Sequence, residues 1–230
     1  MTGTPFRIGF LVFPDITQLD MTGPYEVFTK FPEAEVRLIW KTLEPVKAGG
    51  GMRIMSDTTF ADCPQLDLVC VPGGAGMNPL MEDAETLAFL RKQAPGARYV
   101  TRVCTGALVL GAAGLLKGKR ATTHWMSHEM LSALGATPAA ERVVVDGNLI
   151  TGGGVTAGID FALRVAAEAF GEDLAKAIQL GIEYDPHPPF NAGSPEGAGP
   201  AVVDRALTTA AKRQAERAAI VARAAARLAG

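Results

Sequence analysis

A chain of 230 residues, 48% hydrophobic and 20% charged, is long and apolar enough to bury one sizeable core, and it suits a single large α/β domain better than two small ones. Its net charge of −2 gives no electrostatic basis for binding nucleic acid or an anionic membrane, and no stretch reaches the roughly 20 apolar residues of a membrane span. Three cysteines, Cys63, Cys70 and Cys104, argue against a disulfide framework and fit a reducing cytoplasm, and without C-x-x-C or H-E-x-x-H spacing neither a metal nor a cofactor is expected.

Met1 to Pro5 is polar, and the apolar run that follows, Ile8 to Phe13, is too short for a secretory leader. The near-continuous apolar run Arg7 to Phe13 predicts a central parallel strand buried on both faces. Gln18 to Pro24 reads as the loop into a helix, with Thr22 or Gly23 as its cap and Pro24 in its first turn. Asp20 falls in that loop, just past the strand's C-terminal end, where open α/β sheets keep their chemistry. A solvated loop acid or a helix cap is the alternative.

Ala34 to Trp40 is the second strand, and Lys47 to Met55, interrupted by Gly49-Gly-Gly51, a side hairpin. Cys63 sits in a polar loop before Pro64. Leu66 to Gly74 is a third buried strand running into a turn, with Cys70 in its packing. The paired glycines Gly73 and Gly74 expose backbone N–H groups that can hold an anion opposite a nucleophile, or form a plain tight turn. Glu82 to Gln93 is an amphipathic helix.

Tyr99 to Val103 is the fourth strand, and a small-residue helix begins at about Thr105. Cys104 stands at the switch between them, where a side chain points off the top of the sheet beside unpaired helix N–H groups. Those groups and the helix dipole predict a lowered thiol pKa. A buried core cysteine is the other reading of this stretch.

Arg120 to Trp125 is a short strand, followed by a helix over Ser127 to Leu134. Val143 to Thr151 is a hairpin turning at Asp146-Gly147. Gly152 to Gly158 opens a helix ending at Phe170. It matches G-x-G-x-x-A, but no strand with an acid follows, so the glycines read as close backbone packing rather than a dinucleotide site. Glu172 to Tyr184 is helical, Asp185 to Pro195 irregular and proline-rich, and Pro200 to Leu228 a long helix whose apolar positions include Val203, Leu207, Ala210, Ala211, Ile220 and Val221.

Alternating strands and helices predict a flavodoxin-like, doubly wound, mostly parallel sheet in an α/β/α sandwich, with a C-terminal helical extension. Residues 1–190 form the α/β domain. Residues 191–230, the proline-rich loop and last helix, pack on that domain or on a dimer partner. This order places Asp20, Gly73, Gly74, Cys104 and the Gly153–Val155 segment on one edge of the sheet, and that convergence favours a functional Cys104.

The motifs Phe-Pro-Asp-Ile-Thr-Gln-Leu-Asp-Met-Thr-Gly-Pro, Val-Pro-Gly-Gly, Val-Cys-Thr-Gly-Ala, Gly-Leu-Leu-Lys-Gly-Lys-Arg-Ala-Thr-Thr-His-Trp and Asn-Leu-Ile-Thr-Gly-Gly-Gly together resemble the ThiJ/PfpI superfamily, over Arg7 to about Tyr184. Within it the chain is most similar to members that hydrate isocyanides, a likeness extended by Pro-Phe-Asn-Ala-Gly-Ser-Pro and the terminal helix. The resemblance implies addition of water to a small-molecule isocyanide, R–N≡C, giving an N-substituted formamide through a cysteine thioimidate. It implies Cys104 as nucleophile, Asp20 as its acidic partner, Gly73, Gly74 and the N–H of Thr105 as the anion-stabilising turn, and a homodimer. Val155 and His124 are candidate pocket residues, with a structural hydrogen bond the alternative for His124.

Thr105 stands where the superfamily's peptidases carry a histidine, which disfavours proteolysis, and Arg102 stands where a small residue is expected. Two other readings remain: a ligand-sensing module like that of AraC-type regulators without its DNA-binding units, and a glyoxalase- or redox-like member using the same cysteine.

Overall fold

In the computed structural model, which describes residues 5–229, the first apolar run becomes β1 (Phe6–Leu11) and leads directly into α1 (Gln18–Phe28). The helix therefore starts earlier than Pro24 suggested. Thr17 is the extended capping residue, Asp20 lies in the first turn, and Pro24 is inside the helix. Proline withholds only the bond to the carbonyl four residues back, and packing overrides that loss, since Gly158 lies against the Pro24 ring and Met21, Val27 and Phe28 are buried.

Next come β2 (Ala34–Trp40), the ribbon β3 (Val46–Lys47) and β4 (Arg53–Ile54), and an edge piece β5 (Thr58–Thr59) that the sequence did not announce. β6 (Leu68–Val71) is followed by a short α2 (Met77–Leu80), also unannounced, and by α3 (Ala84–Gln93), which begins two residues later than expected because Asp83 caps it by accepting from the Thr86 N–H. β7 (Tyr99–Arg102) runs into α4 (Gly106–Ala112).

The expected strand from Arg120 shrinks to β8 (Arg120–Ala121), because His124 already caps a 3₁₀ turn over Trp125–Ser127. α5 (Met130–Ala133) and β9 (Thr137–Pro138) follow. The hairpin is β10 (Val143–Asp146) and β11 (Leu149–Gly152), so its turn is Gly147-Asn148, one residue later than read, with Gly147 at φ +63°. α6 (Ala157–Phe170), α7 (Glu172–Gly181), a single turn α8 (Pro195–Ala198) and α9 (Pro200–Ala229) complete the chain.

The main sheet has seven strands in the order β10-β11-β7-β6-β1-β2-β5, parallel except for β10. Helices α1, α6 and α7 cover one face, and α2 to α5 the other, with α9 laid across α4 and α5. Burial on both sides explains why the inner strands read as continuous apolar runs rather than alternating ones. Phe6, Phe10, Phe28, Phe31, Phe161 and Phe170 interlock beneath the α1–α6 layer. Among the described residues, no helix is long and apolar enough to cross a membrane.

β1, β6, β7 and β11 all point the same way, so the segments leaving their C-terminal ends meet at one edge. Those segments carry Asp20, Gly73-Gly74, Cys104 and Gly153–Val155. The chain also changes direction around β1 and β6, which is where open α/β sheets form a crevice.

Candidate active site

Cys104 links β7 to α4 with φ +56°, a left-handed conformation that a side chain adopts only when its surroundings hold it there. Its N–H donates to the Gly153 carbonyl at 2.7 Å. Its carbonyl accepts from Thr123 Oγ1 at 2.8 Å and from Arg102 Nη1 at 3.0 Å. Directly after it, a Cβ on Gly106 would sit 2.1 Å from the Val71 carbonyl oxygen, so only glycine lets the helix start this close to β6.

Asp20 is fully buried, and its Oδ2 accepts from the Gly73 N–H at 2.9 Å. A Cβ on Gly73 would lie 2.8 Å from that oxygen and 2.6 Å from the Thr105 nitrogen, so three functional segments converge on a space only glycine leaves open. The turn's N–H groups are already engaged. Gly73 holds the Asp20 carboxylate, and Gly74 donates to Thr105 Oγ1 at 3.2 Å. The anion this turn holds is Asp20 itself.

Asp20 Oδ1 is buried without a hydrogen-bond partner of normal geometry, and the Cys104 thiol is its titrating neighbour. Burial pushes the Asp20 carboxyl up to about 6, against the lowering influence of the Gly73 N–H and the thiol. The thiol does not behave as the helix terminus predicted. Burial and the Asp20 carboxylate push it up to about 12, outweighing the Thr105 N–H, so at neutral pH the pair is a thiol beside a carboxylate.

Arg102 is completely buried and finds neither acid nor water-facing surface. Its Nη1 ties the Cys104 carbonyl to that of Gly152, at 3.0 and 2.8 Å, while Nε and Nη2 have no partner. Burial without a counter-ion lowers its pKa to about 9. The left-handed turn at Cys104 brings that carbonyl within reach of Nη1, and Arg102 cross-links the nucleophile's backbone to the end of β11.

A cavity of about 300 Å³ opens over Cys104, and Gly74, Thr105, His124 and Val155 line it as expected. His124 also makes the structural bond, its Nδ1 accepting from the Met126 N–H at 3.3 Å. Burial and the nearby Arg217 and Arg213 lower its pKa. Asp20 and Gly73 lie behind the cavity wall. Cys70 is core, and Cys63 is buried too, donating to the Pro64 carbonyl, rather than solvated in a loop.

Sequence reasoning missed part of this wall. Asp15, Arg213, Gln214 and Arg217 line it, the last three from α9. The available signal was Arg217 standing seven residues after Ala210 and four before Val221, on the stripe that faces the body.

The DJ-1/PfpI family profile matches residues 6–168, which contain every member of this constellation except the α9 residues. The chain belongs to the DJ-1/PfpI family. Among its DJ-1/PfpI relatives is an isonitrile hydratase of Pseudomonas putida, 59% identical over 222 residues, which are 96% of this chain and 97% of that protein. A THiJ/PfpI family protein from Pseudomonas syringae has a crystal structure that superposes with a TM-score of 0.92 at 42% identity, covering 95% of this chain and 91% of that one. The HTH-type transcriptional regulator GbdR of Pseudomonas aeruginosa is 32% identical over 79% of this chain but only 51% of the regulator. Near-complete coverage of both chains thus goes with the hydratase, not with the regulator.

Proposed function

We propose that this chain is an isocyanide (isonitrile) hydratase in which Cys104 is the nucleophile and Asp20 its proton partner. The observation that carries the reading is the Cys104 thiol on the cavity wall backed by the buried Asp20 carboxylate, in a chain 59% identical over 96% of its length to an isonitrile hydratase.

An isocyanide carbon must accept a nucleophile and a proton at the same atom. A thiol paired with a carboxylate of pKa near 6 can supply both. Cys104 sulfur bonds to the carbon while its proton passes to Asp20 and then to that carbon, giving Cys104–S–CH=N–R. Water adds to the thioimidate carbon as Asp20 takes one of its protons and passes it to the nitrogen. The adduct Cys104–S–CH(OH)–NH–R then breaks at the C–S bond, releasing HC(=O)–NH–R and restoring the thiol. One water is consumed and no electrons are exchanged. Thr105, oriented by the Gly74 N–H, keeps its hydroxyl proton free to steady the oxygen of the adduct. The three free cysteines fit a cytoplasmic enzyme.

We further infer a homodimer. The C-terminal extension carries Phe190, 78% exposed, and Leu207, 44% exposed, in the first half of α9 and the loop before it, where this subunit offers them no cover.

The test is purified protein with an alkyl and an aryl isocyanide, following formamide. Cys104→Ala should abolish turnover while keeping the folded structure, since alanine meets the same left-handed strain as cysteine. Cys63→Ala and Cys70→Ala should stay active, the second losing stability to its cavity. Formamide at a near-normal rate from Cys104→Ala would sink the covalent route.

A further inference from the structure

From residue 213 onward α9 carries four arginines that meet the body in two different ways. Arg223 and Arg227 both pair with Glu82. Arg213 and Arg217, which line the cavity over Cys104, have no carboxylate partner among the described residues. Arg217 is only 4% exposed, so its charge is held out of solvent. Asn78 Oδ1 accepts from its Nε at 3.0 Å and Ser127 Oγ from its Nη1 at 2.9 Å, both neutral groups. Among the described residues Nη2 has no acceptor, yet it is not sealed in the core.

Arg223 and Arg227, both about half exposed, dock the helix through a carboxylate, whereas the buried Arg217 sits on neutral groups at the cavity wall. Between the two unpaired arginines, Gln214 has a buried amide oxygen without a partner, and a turn of that amide presents its NH₂ instead. Among the described residues the one acid on the cavity wall is Asp15 in the β1–α1 loop; it is ion-paired with neither arginine, and burial with the two arginines lowers the His124 pKa. The α9 side of the cavity is therefore cationic and unsatisfied, while Cys104 and Asp20 define where the reacting carbon must sit.

We propose that Arg213 and Arg217 form an anion subsite, selecting isocyanides whose substituent carries a carboxylate. The proposal rests on the hydratase reading and names its substrate class. A planar carboxylate matches the guanidinium fork, and partial exclusion of water strengthens the charge-assisted bonds. A cavity of about 300 Å³ is at the small end for ligand sites, and suits one ring or a short chain between the two groups.

The experiment compares 4-isocyanobenzoate with its methyl ester, which keeps the ring and isocyanide but not the charge. At low ionic strength kcat/KM should favour the carboxylate about tenfold, the scale of one partly desolvated charge-assisted bond. The exposed Arg213 can be changed without disturbing the Asn78 and Ser127 contacts, and Arg213→Glu should abolish or reverse the preference. The ratio cancels any loss common to both substrates.

Equal use of the two compounds, or a preference that survives Arg213→Glu, overturns the subsite and leaves the hydratase reading standing. If neither compound is hydrated, the hydratase reading fails instead. Binding to Cys104→Ala, followed by calorimetry, then decides the subsite alone. Tighter binding of the carboxylate, lost with Arg213→Glu added, upholds it, and equal binding of carboxylate and ester overturns it.

Discussion

Asp20 carries a cost that its function explains. Its pKa rises from an ordinary 3.8 to about 6 because burial removes water from a carboxylate with one orphaned oxygen. A carboxyl raised on folding stabilises the protein when protonated. That contribution is full below the unfolded value near 3.8 and is lost as pH rises through about 6, a difference of about 3 kcal/mol. Asp20→Asn removes the charge but can still accept from Gly73, so it should raise the melting temperature at pH 7.5. The gap over the parent should close toward pH 4. Turnover should fall roughly 10²-fold or more, and parental kcat/KM should decline below pH about 6 as Asp20 is protonated. Thermal melts of both proteins across that range decide the matter, and a gap independent of pH would mean that the Asp20 pKa is the same in the folded and the unfolded protein. Removing the carboxylate also takes away a charge that holds the thiol up, so Cys104 should be alkylated at lower pH in Asp20→Asn.

At the scale of elements, the sequence was most readable where burial is continuous and least where a tertiary contact sets the outcome. β1 and β6 lie within apolar runs that announced them, because strands covered on both faces are almost continuously apolar, whereas β7 buries Thr101 and Arg102. α1 was misplaced because Pro24 looks like a first-turn residue until Gly158 is seen packed against it. β5, β8 and β9 are two-residue pieces that only their neighbours define. Cys104 and Asp20 could be picked out in the sequence, but the sign of the thiol's pKa shift could not, because it depends on burial and on how near Asp20 lies.

α9 is the sharpest case. Apolar periodicity found the helix, yet Leu207 is exposed while Ala210, Arg217, Val221 and Ala224 face the body. Arg217→Met should therefore cost about 1–3 kcal/mol, since it strands the buried Asn78 and Ser127 groups. On the dissociated subunit, Leu207→Ala should change stability by less than about 0.5 kcal/mol, as an exposed site does. Urea unfolding measures both, and the reverse ranking would show that α9 docks through its other face.

For the whole molecule, the halves of α9 divide the work. From residue 210 onward α9 closes the cavity and carries the helix's buried side chains, Ala210, Arg217, Val221 and Ala224, whereas residues 200–209 bury no side chain fully on their own subunit. An isolated helical arm of that length is marginal in water without a surface to cover its apolar side. Val203 and Leu207, one turn apart, and Phe190 before them supply that side, so a second copy is the economical cover. An isologous contact of this kind repeats each interaction twice. Light scattering at low micromolar concentration should give a dimer, and Leu207→Asp should shift it toward monomer without changing the unfolding midpoint of the subunit. Deleting residues 196–230 is a poorer test, because it would also strip the cavity of Arg213, Gln214 and Arg217 and expose the α4 side of the core. A full-length chain that runs as a monomer with full activity would mean that the first half of α9 serves no contact between copies.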